Sequence, residues 1–340
     1  MNNPEVKYCP GTLAEGFNSY SPTCLKRVFL GRKVSHILPY NPPEISEEVA
    51  DKFLQNRKRI SISGVQEKVS ILLEKNQLRL TESNEQGRYI LKPIPRDLMK
   101  VDQVPANEHL TMQIARQAFG IETAENALIF FKNGQPAYIT KRFDVTDDAR
   151  KLGVEDFASL AGKTSENAGK SFKYDYSYEQ MGELIHKFIP ASSVEIEKFF
   201  SLILFNFLFS NGDAHLKNYS VIETTHGDYK LSPAYDLINT SLHVNDSEFA
   251  LSDGLFKGDY ATESYEINGF YAYDDFFEFG IKIGLRKSRA VKILELMRTK
   301  SKVVYSMISR SYLNPEMKES FYLSYQRRLK ALNYSYNRLI

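Results

Sequence analysis

The most constraining feature of the sequence is an apolar run at residues 199–209, FFSLILFNFLF, which is followed at once by the polar run NGDAHLKN at residues 211–218. A membrane-spanning helix needs about 20 apolar residues in succession. The shorter run therefore predicts a buried core helix over residues 194–209. A polar run directly after a core helix needs a reason, so it is the strongest candidate for a functional loop.

The hydrophobic period changes near residue 144, which predicts two parts in the chain. Before it, apolar residues alternate with polar ones, which indicates strands at 60–62, 69–73, 78–80, 88–92, 126–131 and 137–143. A helix over 105–119 is predicted to stop at Gly120. After residue 144, helical spacing prevails, as at 180–188. The predicted fold class is α+β, with a small β-rich lobe (58–145), a larger helical lobe (146–340) and a cleft between them.

Residues 1–57 are predicted to be an N-terminal extension or linker, irregular to about residue 45, with a short helix over 44–54. No basic segment followed by an apolar stretch opens the chain. The two cysteines, Cys9 and Cys24, are too few for a disulfide-stabilised secreted scaffold and lack a second Cys/His pair at zinc-ligand spacing. We interpret them as ordinary thiols and predict a cytoplasmic protein.

Charge gives no indication of a nucleic-acid or membrane partner. Lys and Arg number 44 and Asp and Glu number 42, a net charge of +2. A value this small does not favour general attraction to phosphate backbones or anionic lipids. We therefore expect neither direct nucleic-acid binding nor membrane association.

The polar run places Asp213 and Asn218 at the spacing found in the catalytic loop of protein kinases. A predicted hairpin follows at 219–222 and 229–231, and its antiparallel strands return the chain at Asp236 to the end where Asn218 lies. Their oxygens suit Mg²⁺. Asp213 would be the catalytic base, and Lys217 would neutralise the transferred phosphoryl group. Asp and Asn also form turns and caps, so a structural loop is the alternative interpretation.

The β-rich lobe offers candidates for the phosphate side of a nucleotide site. Lys92 ends a predicted strand and Glu108 begins the next helix, so the two could pair and hold the lysine against phosphates. A glutamate that interacts only with the helix dipole is the alternative. The turn SISGVQEK at 61–68 is a candidate phosphate-binding loop through its backbone N–H groups. Its single glycine departs from the kinase glycine-rich loop and from the Walker A pattern.

Six motifs occur in the order found in the HipA family of toxin kinases, which this chain resembles over about residues 58–310. They are SISGVQEK (61–68), YILKP (89–93), NE (107–108), KRFD (141–144), NGDAHLKN (211–218) and LSPAYD (231–236). The resemblance implies a protein-kinase-like, two-lobed fold and a serine/threonine kinase that uses ATP and Mg²⁺. Family members act as growth-arresting toxins and phosphorylate aminoacyl-tRNA synthetases.

The resemblance also implies roles for individual residues. Asp213 would be the base, and Asn218 and Asp236 would hold the metal. The residues implied to contact the nucleotide fall in four groups: the phosphate-binding loop (Ser63, Gly64, Val65, Gln66, Glu67, Lys68), the Lys92–Glu108 pair, the hinge (Lys141, Arg142, Phe143) and the nucleotide site of the helical lobe (His215, Leu216, Lys217, Asn218, Tyr235, Asp236).

The family autophosphorylates a serine at the position of Ser61, and Ser63 is a second hydroxyl two residues on. A phosphate there would add nearly two negative charges. Because the same loop is expected to hold the ATP phosphates, we hypothesise that phosphorylation of either serine weakens ATP binding.

The segment before the phosphate-binding loop departs from the full-length family pattern. About sixty residues precede the loop, which leaves no room for the extra N-terminal subdomain of full-length members. The chain therefore resembles the split form HipT, in which a small protein, HipS, supplies that subdomain and HipB is the DNA-binding antitoxin. This predicts HipB-like and HipS-like partners and an aminoacyl-tRNA synthetase substrate, such as tryptophanyl-tRNA synthetase. Two alternatives stay open: a small-molecule phosphotransferase of the aminoglycoside-kinase type, and a non-catalytic nucleotide-binding co-repressor.

Overall fold

The computed structural model describes residues 5–42, 67–95 and 98–336. Its β-rich part contains a five-stranded antiparallel sheet in the order β2-β1-β3-β5-β4. The strands are β1 (Val69–Glu74), β2 (Gln77–Leu80), β3 (Tyr89–Lys92), β4 (Asn126–Phe130) and β5 (Pro136–Lys141). Val69 pairs with Leu91, and Leu91 pairs with Ile139, so buried apolar side chains of three strands align on one face. The strands predicted from residue 69 onward are confirmed.

The N-terminal segment contains regular structure that the sequence does not predict. Where an irregular chain is expected, the structure has a helix, α1 (Pro22–Phe29), capped by the side chain of Ser21. Phe29 is buried against the five-stranded sheet. Further on, the amide of Leu38 donates to the carbonyl of Phe130 on β4 at 2.7 Å. A helix of eight residues has barely two turns, so its apolar period is too short to be recognised in the sequence.

The helix predicted over 105–119 is confirmed as α2 (Val104–Phe119), which packs on β4 and β5. It ends at Gly120, whose φ of 69° is the left-handed conformation that favours glycine. The amide of Gly120 bonds back to the carbonyls of Ala115 and Arg116, which satisfies the helix end. Nearly all of α2 is buried, including Glu108, and a buried carboxylate requires a partner.

The remainder of the described chain is mainly helical. Its helices are α3 (Phe157–Leu160), α4 (Ser165–Ala168), α5 (Tyr178–Phe188), α6 (Ser192–Leu208), α7 (Glu263–Asn268), α8 (Tyr273–Lys282), α9 (Lys287–Arg298), α10 (Ser301–Ser309) and α11 (Pro315–Asn333). A second antiparallel sheet consists of β6 (Val154–Asp156), β7 (Ser220–Glu223) and β8 (Tyr229–Leu231). The predicted hairpin is confirmed as β7 and β8, whereas the three-residue β6 is too short to predict.

Helix α6 is the predicted core helix, and its burial is confirmed. Phe205 and Phe207 are fully buried. The ring of Phe205 stacks on that of Phe209 with centroids 4.4 Å apart, and Phe209 stacks on Tyr325 of α11 at 5.1 Å. Because each buried aromatic ring removes a large apolar area from water, these contacts fix the end of α6, where the polar loop begins.

Three sequence predictions lie outside the described residues: the helix at 44–54, the strand at 60–62 and the turn at 63–66. Within the described ranges, no helix combines the length and the apolar character that a bilayer crossing requires. Cys9 and Cys24 are both free thiols in the buried cluster beneath the sheet. The division of the chain at residues 57 and 145 stays a prediction.

Candidate active site

A cleft of about 320 Å³ lies between the β-rich part and the helical part. It brings together eight of the residues that the sequence assigns to a nucleotide site: Lys68, Lys92, Lys141, Arg142, Phe143, Lys217, Tyr235 and Asp236. The apolar part of the cleft lining includes Ile90, Ala124 and Val154. A concave site with apolar walls and a few convergent charged groups is typical of small-molecule binding.

A buried ion cluster forms one wall of this cleft. The Nζ atom of Lys92, on β3, lies 2.5 Å from Oε1 of Glu108 on α2 and 2.5 Å from Oδ1 of Asp236, which follows β8. The Nζ atom of Lys68 lies 3.2 Å from Oδ2 of Asp236. Only 3% of the Lys92 side chain and 2% of the Glu108 side chain are exposed. The predicted Lys–Glu pair is therefore formed, and its contact with phosphates stays a prediction.

The cluster favours the charged forms of Lys92 and Asp236. Burial alone would raise the pKa of Asp236, but the ammonium groups of Lys68 and Lys92 outweigh it and hold that pKa well below its usual value. Burial alone would lower the pKa of Lys92, but Asp236 and Glu108 raise it. Burial raises the pKa of Glu108. Asp236 is thus an anion at neutral pH, held between two cations.

The polar loop after α6 is held by contacts with distant segments. The amide of Gly212 donates to Oγ1 of Thr240 at 2.8 Å, and the amide of Leu216 donates to the carbonyl of Lys173 at 3.1 Å. A Cβ atom at position 212 would lie 2.6 Å from the backbone carbonyl oxygen of Ser247, which cannot swing aside as a side chain can, so this position requires glycine. The side chain of Leu216 is fully buried in the core of the helical part. The loop therefore has a defined shape, which positions Asp213.

Asp213 has the environment of a base that titrates near neutral pH. The hydroxyl of Tyr174 donates to its Oδ1 at 3.0 Å, and Nε2 of His215 lies 3.8 Å from the same oxygen. Burial raises the pKa of Asp213 to about 6, although the charge of Lys173 and the hydrogen bond from Tyr174 oppose the rise. The charge of Asp236 acts on Asp213 in the same direction as burial. A carboxyl group in this range suits general-base catalysis.

Lys173 and Tyr174 are site residues that the sequence does not predict. They lie in the connection between α4 and α5, about 40 residues before Asp213. The ammonium group of Lys173 lies 4.8 Å from the centroid of the Tyr174 ring. No motif or spacing marks these residues in the sequence, because only the fold brings this connection to the polar loop.

The predicted metal ligands, Asn218 and Asp236, each offer an oxygen atom that a cation could bind. Oδ1 of Asn218 is buried and has no hydrogen-bond partner among the described residues. Asp236 supplies a carboxylate to the cleft, although both of its oxygens also accept hydrogen bonds from lysines. An unpartnered amide oxygen and an ionised carboxylate are donors that Mg²⁺ prefers. The chemistry of these two residues therefore fits the ion.

His215 is fully buried, and neither ring nitrogen has a hydrogen-bond partner in the described part of the chain. Burial lowers its pKa to about 3, and the nearby charge of Lys173 adds to this effect. The imidazole is therefore neutral at physiological pH and does not act as a cation beside Asp213.

The side chain of Lys217 lines the cleft, but its ammonium group is paired elsewhere. Its Nζ lies 2.8 Å from Oδ2 of Asp156 on β6, and 45% of the side chain is exposed. The carbonyl of Lys217 accepts a hydrogen bond from the hydroxyl of Tyr235 at 3.0 Å. The predicted contact of Lys217 with a transferred phosphoryl group stays a prediction.

The predicted hinge runs from the end of β5 along the cleft. The amides of Lys141 and Arg142 donate to the carbonyls of Glu125 and Arg88 at 2.7 and 2.9 Å. The next residue, Phe143, places its ring 5.5 Å from that of Tyr235, with 33° between the planes. The two rings give the cleft an aromatic wall contributed by both lobes.

Most of the predicted phosphate-binding loop lies outside the described residues, including Ser61, Ser63, Gly64, Val65 and Gln66. Glu67 and Lys68 lie inside them and directly precede β1. Within the described part of this loop, Lys68 contacts Asp236.

The chain matches the family model described as the HipA-like C-terminal domain over residues 60–304. It is 29% identical over 348 aligned residues to a Haemophilus influenzae protein named "Putative kinase", with 98% of each chain covered. It is 23% identical to the serine/threonine-protein kinase toxin HipA of Shewanella oneidensis, with 87% of this chain and 70% of that one covered.

Solved structures show the same fold. HipA in the Shewanella oneidensis complex of HipA, HipB and operator DNA superposes with a TM-score of 0.61 at 20% identity, covering 86% of this chain and 72% of that chain. The proinflammatory kinase CtkA of Helicobacter pylori gives a TM-score of 0.51 at 17% identity, covering 77% and 93%. The predicted kinase-like α+β fold is therefore confirmed.

We expect Asp213→Asn to stabilise the folded protein at pH 7.5 by about 1–3 kcal/mol and to have little effect at pH 3.5. Burial raises the pKa of Asp213 from 3.8 to about 6, so folding disfavours its charged form. That penalty is fully present above pH 6 and disappears as the pH falls towards 3.8, below which the carboxyl is protonated in both states. Urea unfolding at both pH values measures the difference.

Asp228→Asn is the matched control, because Asp228 lies in the exposed turn of the β7–β8 hairpin. This control should leave the free energy of unfolding unchanged within about 0.5 kcal/mol. An Asp213→Asn protein that is less stable than the wild type at pH 7.5 would contradict the prediction.

Proposed function

The chain belongs to the HipA-like C-terminal domain family, and we propose that it is an ATP-dependent serine/threonine protein kinase. The observation that carries the proposal is the contact of Lys92 with both Glu108 and Asp236 at one wall of an interlobe cleft. A lysine–glutamate pair in one lobe that meets an acidic residue of the other is the arrangement that phosphoryl transfer uses to position and neutralise phosphates. The naming of relatives as kinases supports the same assignment.

In this proposal the nucleotide lies along the cleft. The rings of Phe143 and Tyr235 would hold the base, and the backbone of the hinge would read its edge. Lys68 and Lys92 would bind the phosphates, since their ammonium groups already converge on Asp236. Lys217 lines the same cleft and would help to neutralise the transferred group.

The chemical step would use Asp213 as the base. As the acceptor hydroxyl oxygen bonds to the γ-phosphorus, its proton passes to Asp213 and the bond to the leaving ADP breaks. Mg²⁺ held by Asn218 and Asp236 would supply positive charge to the phosphate oxygens. The pKa of about 6 leaves Asp213 ionised at neutral pH and thus able to accept that proton.

We further propose that the kinase is the toxin of a toxin–antitoxin system. Support comes from the relative named as a toxin kinase and from the likeness to HipA in a complex with HipB and operator DNA. The partners would be a HipB-like DNA-binding antitoxin and a small HipS-like protein, as in the split form HipT. The substrate would be a cytoplasmic aminoacyl-tRNA synthetase, with tryptophanyl-tRNA synthetase as the first candidate.

A transfer assay tests the catalytic proposal. The full chain is incubated with γ-labelled ATP, Mg²⁺ and a bacterial cell extract, and labelled proteins are identified by mass spectrometry. We expect one principal labelled protein outside the kinase itself. Asp213→Asn should reduce the labelling by about 10²–10⁴-fold, whereas the control Asp228→Asn should retain it.

The same assay, together with a growth assay in cells that express the chain, separates the alternatives. Transfer to small alcohols but not to proteins would indicate a small-molecule phosphotransferase. Growth arrest by the Asp213→Asn variant would indicate a non-catalytic co-repressor. Absence of any labelling or ADP release by the wild type would contradict the kinase proposal itself.

The pH dependence of transfer tests the base separately. Because the base must be ionised, kcat/KM should be level above about pH 7 and should fall as the pH drops through about 6, the pKa to which burial raises Asp213. Well below that value the fall should approach tenfold per pH unit. Rates measured from pH 5 to 8 in a buffer of constant ionic strength give the profile. A profile that stays level down to pH 5 would count against Asp213 as the base.

Autophosphorylation at Ser61 and Ser63 is proposed as a means of lowering activity. A phosphate in the loop expected to hold the ATP phosphates would repel them. We therefore expect the double substitution Ser61→Asp and Ser63→Asp to raise the KM for ATP at least tenfold. The double alanine variant is the control and should keep the wild-type KM. An unchanged KM in the aspartate variant would contradict the proposal.

A further inference from the structure

We propose that Tyr174 occupies the position of the acceptor hydroxyl at Asp213 and must be displaced by it, which shields the base from water until a substrate binds. This inference rests on the proposed kinase function. The Tyr174 hydroxyl donates to Oδ1 of Asp213 at 3.0 Å. A serine or threonine hydroxyl must donate an equivalent hydrogen bond before its proton can transfer to the base.

The backbone around Tyr174 is tied to two neighbouring segments. The carbonyl of Tyr174 accepts a hydrogen bond from the amide of Ser252 at 2.8 Å. The carbonyl of Lys173 accepts one from the amide of Leu216, inside the catalytic loop, at 3.1 Å. The Tyr174 hydroxyl is therefore presented to Asp213 by a backbone that is fixed on both sides.

The Tyr174 ring also has specific contacts. It meets the ring of His215 edge to face, with centroids 5.1 Å apart and planes at 73°. The ammonium group of Lys173 lies 4.8 Å from its centroid. These contacts involve the ring and not the hydroxyl, so removing the oxygen alone leaves them in place.

The charges around Asp213 explain why a neutral donor is found there. Lys173 contributes a positive charge, Asp236 and Asp246 contribute negative ones, and buried His215 is neutral. Burial and the charge of Asp213 raise the pKa of Tyr174, so its phenol stays protonated and remains a donor. The Asp213 carboxylate thus has a hydrogen-bond partner without a substrate present.

Shielding matters because water is itself an acceptor. If a water molecule donates to Asp213, its oxygen bonds to the γ-phosphorus, its proton passes to Asp213, and the bond to the leaving ADP breaks, giving ADP and phosphate. The Tyr174 phenol occupies the hydrogen-bonding position that such a water needs. A protein substrate displaces the phenol because its other contacts with the kinase supply binding energy that water lacks.

The test is Tyr174→Phe in the full chain carrying Ser61→Ala and Ser63→Ala, with Mg-ATP and no added protein acceptor, so that the proposed autophosphorylation does not contribute. We expect the rate of ADP release, measured by a coupled assay, to rise at least threefold above the same chain with Tyr174 unchanged. The matched control is Tyr176→Phe, in the same connection, whose ring lies 5.4 Å from the ammonium group of Lys163. This control should release ADP at the wild-type rate.

A double variant shows whether the effect acts through the base. Adding Asp213→Asn to Tyr174→Phe should abolish the increase, whereas an increase caused by general loosening would survive. Thermal melting should give equal Tm values for the wild type and Tyr174→Phe. Unchanged or reduced ADP release by a folded Tyr174→Phe protein would overturn the proposal.

The two levels of the proposal fail in different ways. If the wild type releases no more ADP than Asp213→Asn and labels no protein, the kinase function and the shielding are both wrong. If the wild type is an active kinase and Tyr174→Phe leaves acceptor-free ADP release unchanged, the shielding alone is wrong.

Discussion

The rest of the structure depends on the two ion pairs formed by the ammonium group of Lys92. This group lies between a carboxylate of its own lobe, Glu108, and a carboxylate of the other lobe, Asp236, and it is almost wholly excluded from water. A buried charge that loses one partner costs about 3–5 kcal/mol. The two lobes are therefore held in one relation at the cleft, and the positions of the strand, helix and hairpin that carry these residues are fixed together.

The same contact gives the cleft its chemical character. Asp236 has a left-handed backbone, with φ of 55°, which Asp tolerates better than most residues. Both of its oxygens accept hydrogen bonds from lysines, Lys68 and Lys92. Lys68 and Lys92 thereby bring two ammonium groups to one wall of the cleft, where in the proposed function they would meet the phosphates of a nucleotide. The ion cluster thus serves the fold and the proposed chemistry with the same atoms.

The correct predictions from the sequence rest on short-range patterns. Alternation predicts the strands from residue 69 onward, and Gly120 predicts the end of α2. The sequence also predicts the Lys92–Glu108 pair, which is formed. It does not predict the contact of Lys92 with Asp236, because these two residues lie in separate motifs that only the fold brings together. The helix α1, the strand β6 and the pair Lys173–Tyr174 were missed for one reason: each is short, and each is defined by what it packs against. Tyr174 becomes a site residue only because the chain before α5 folds back onto the polar loop after α6.

The surroundings of the two carboxyl groups of the site move their pKa values in opposite directions. Asp236 touches two ammonium groups, which hold its pKa well below the usual value in spite of burial. Asp213 is also buried, but its direct partner is the neutral phenol of Tyr174. The charge of Lys173 acts on it, yet the two form no ion pair within 4.0 Å in the described part of the chain. Burial therefore prevails and raises the pKa of Asp213 to about 6. Pairs of titratable groups whose environments move their pKa values apart identify the acid–base assignment.

In the proposed function, the permanent anion Asp236 suits the side that binds the cation and the phosphates. Asp213, which can be protonated near neutral pH, suits the side where an acceptor loses its proton. The direct partners of each residue, ammonium groups for Asp236 and a hydroxyl for Asp213, match the ligands that each would meet in turnover.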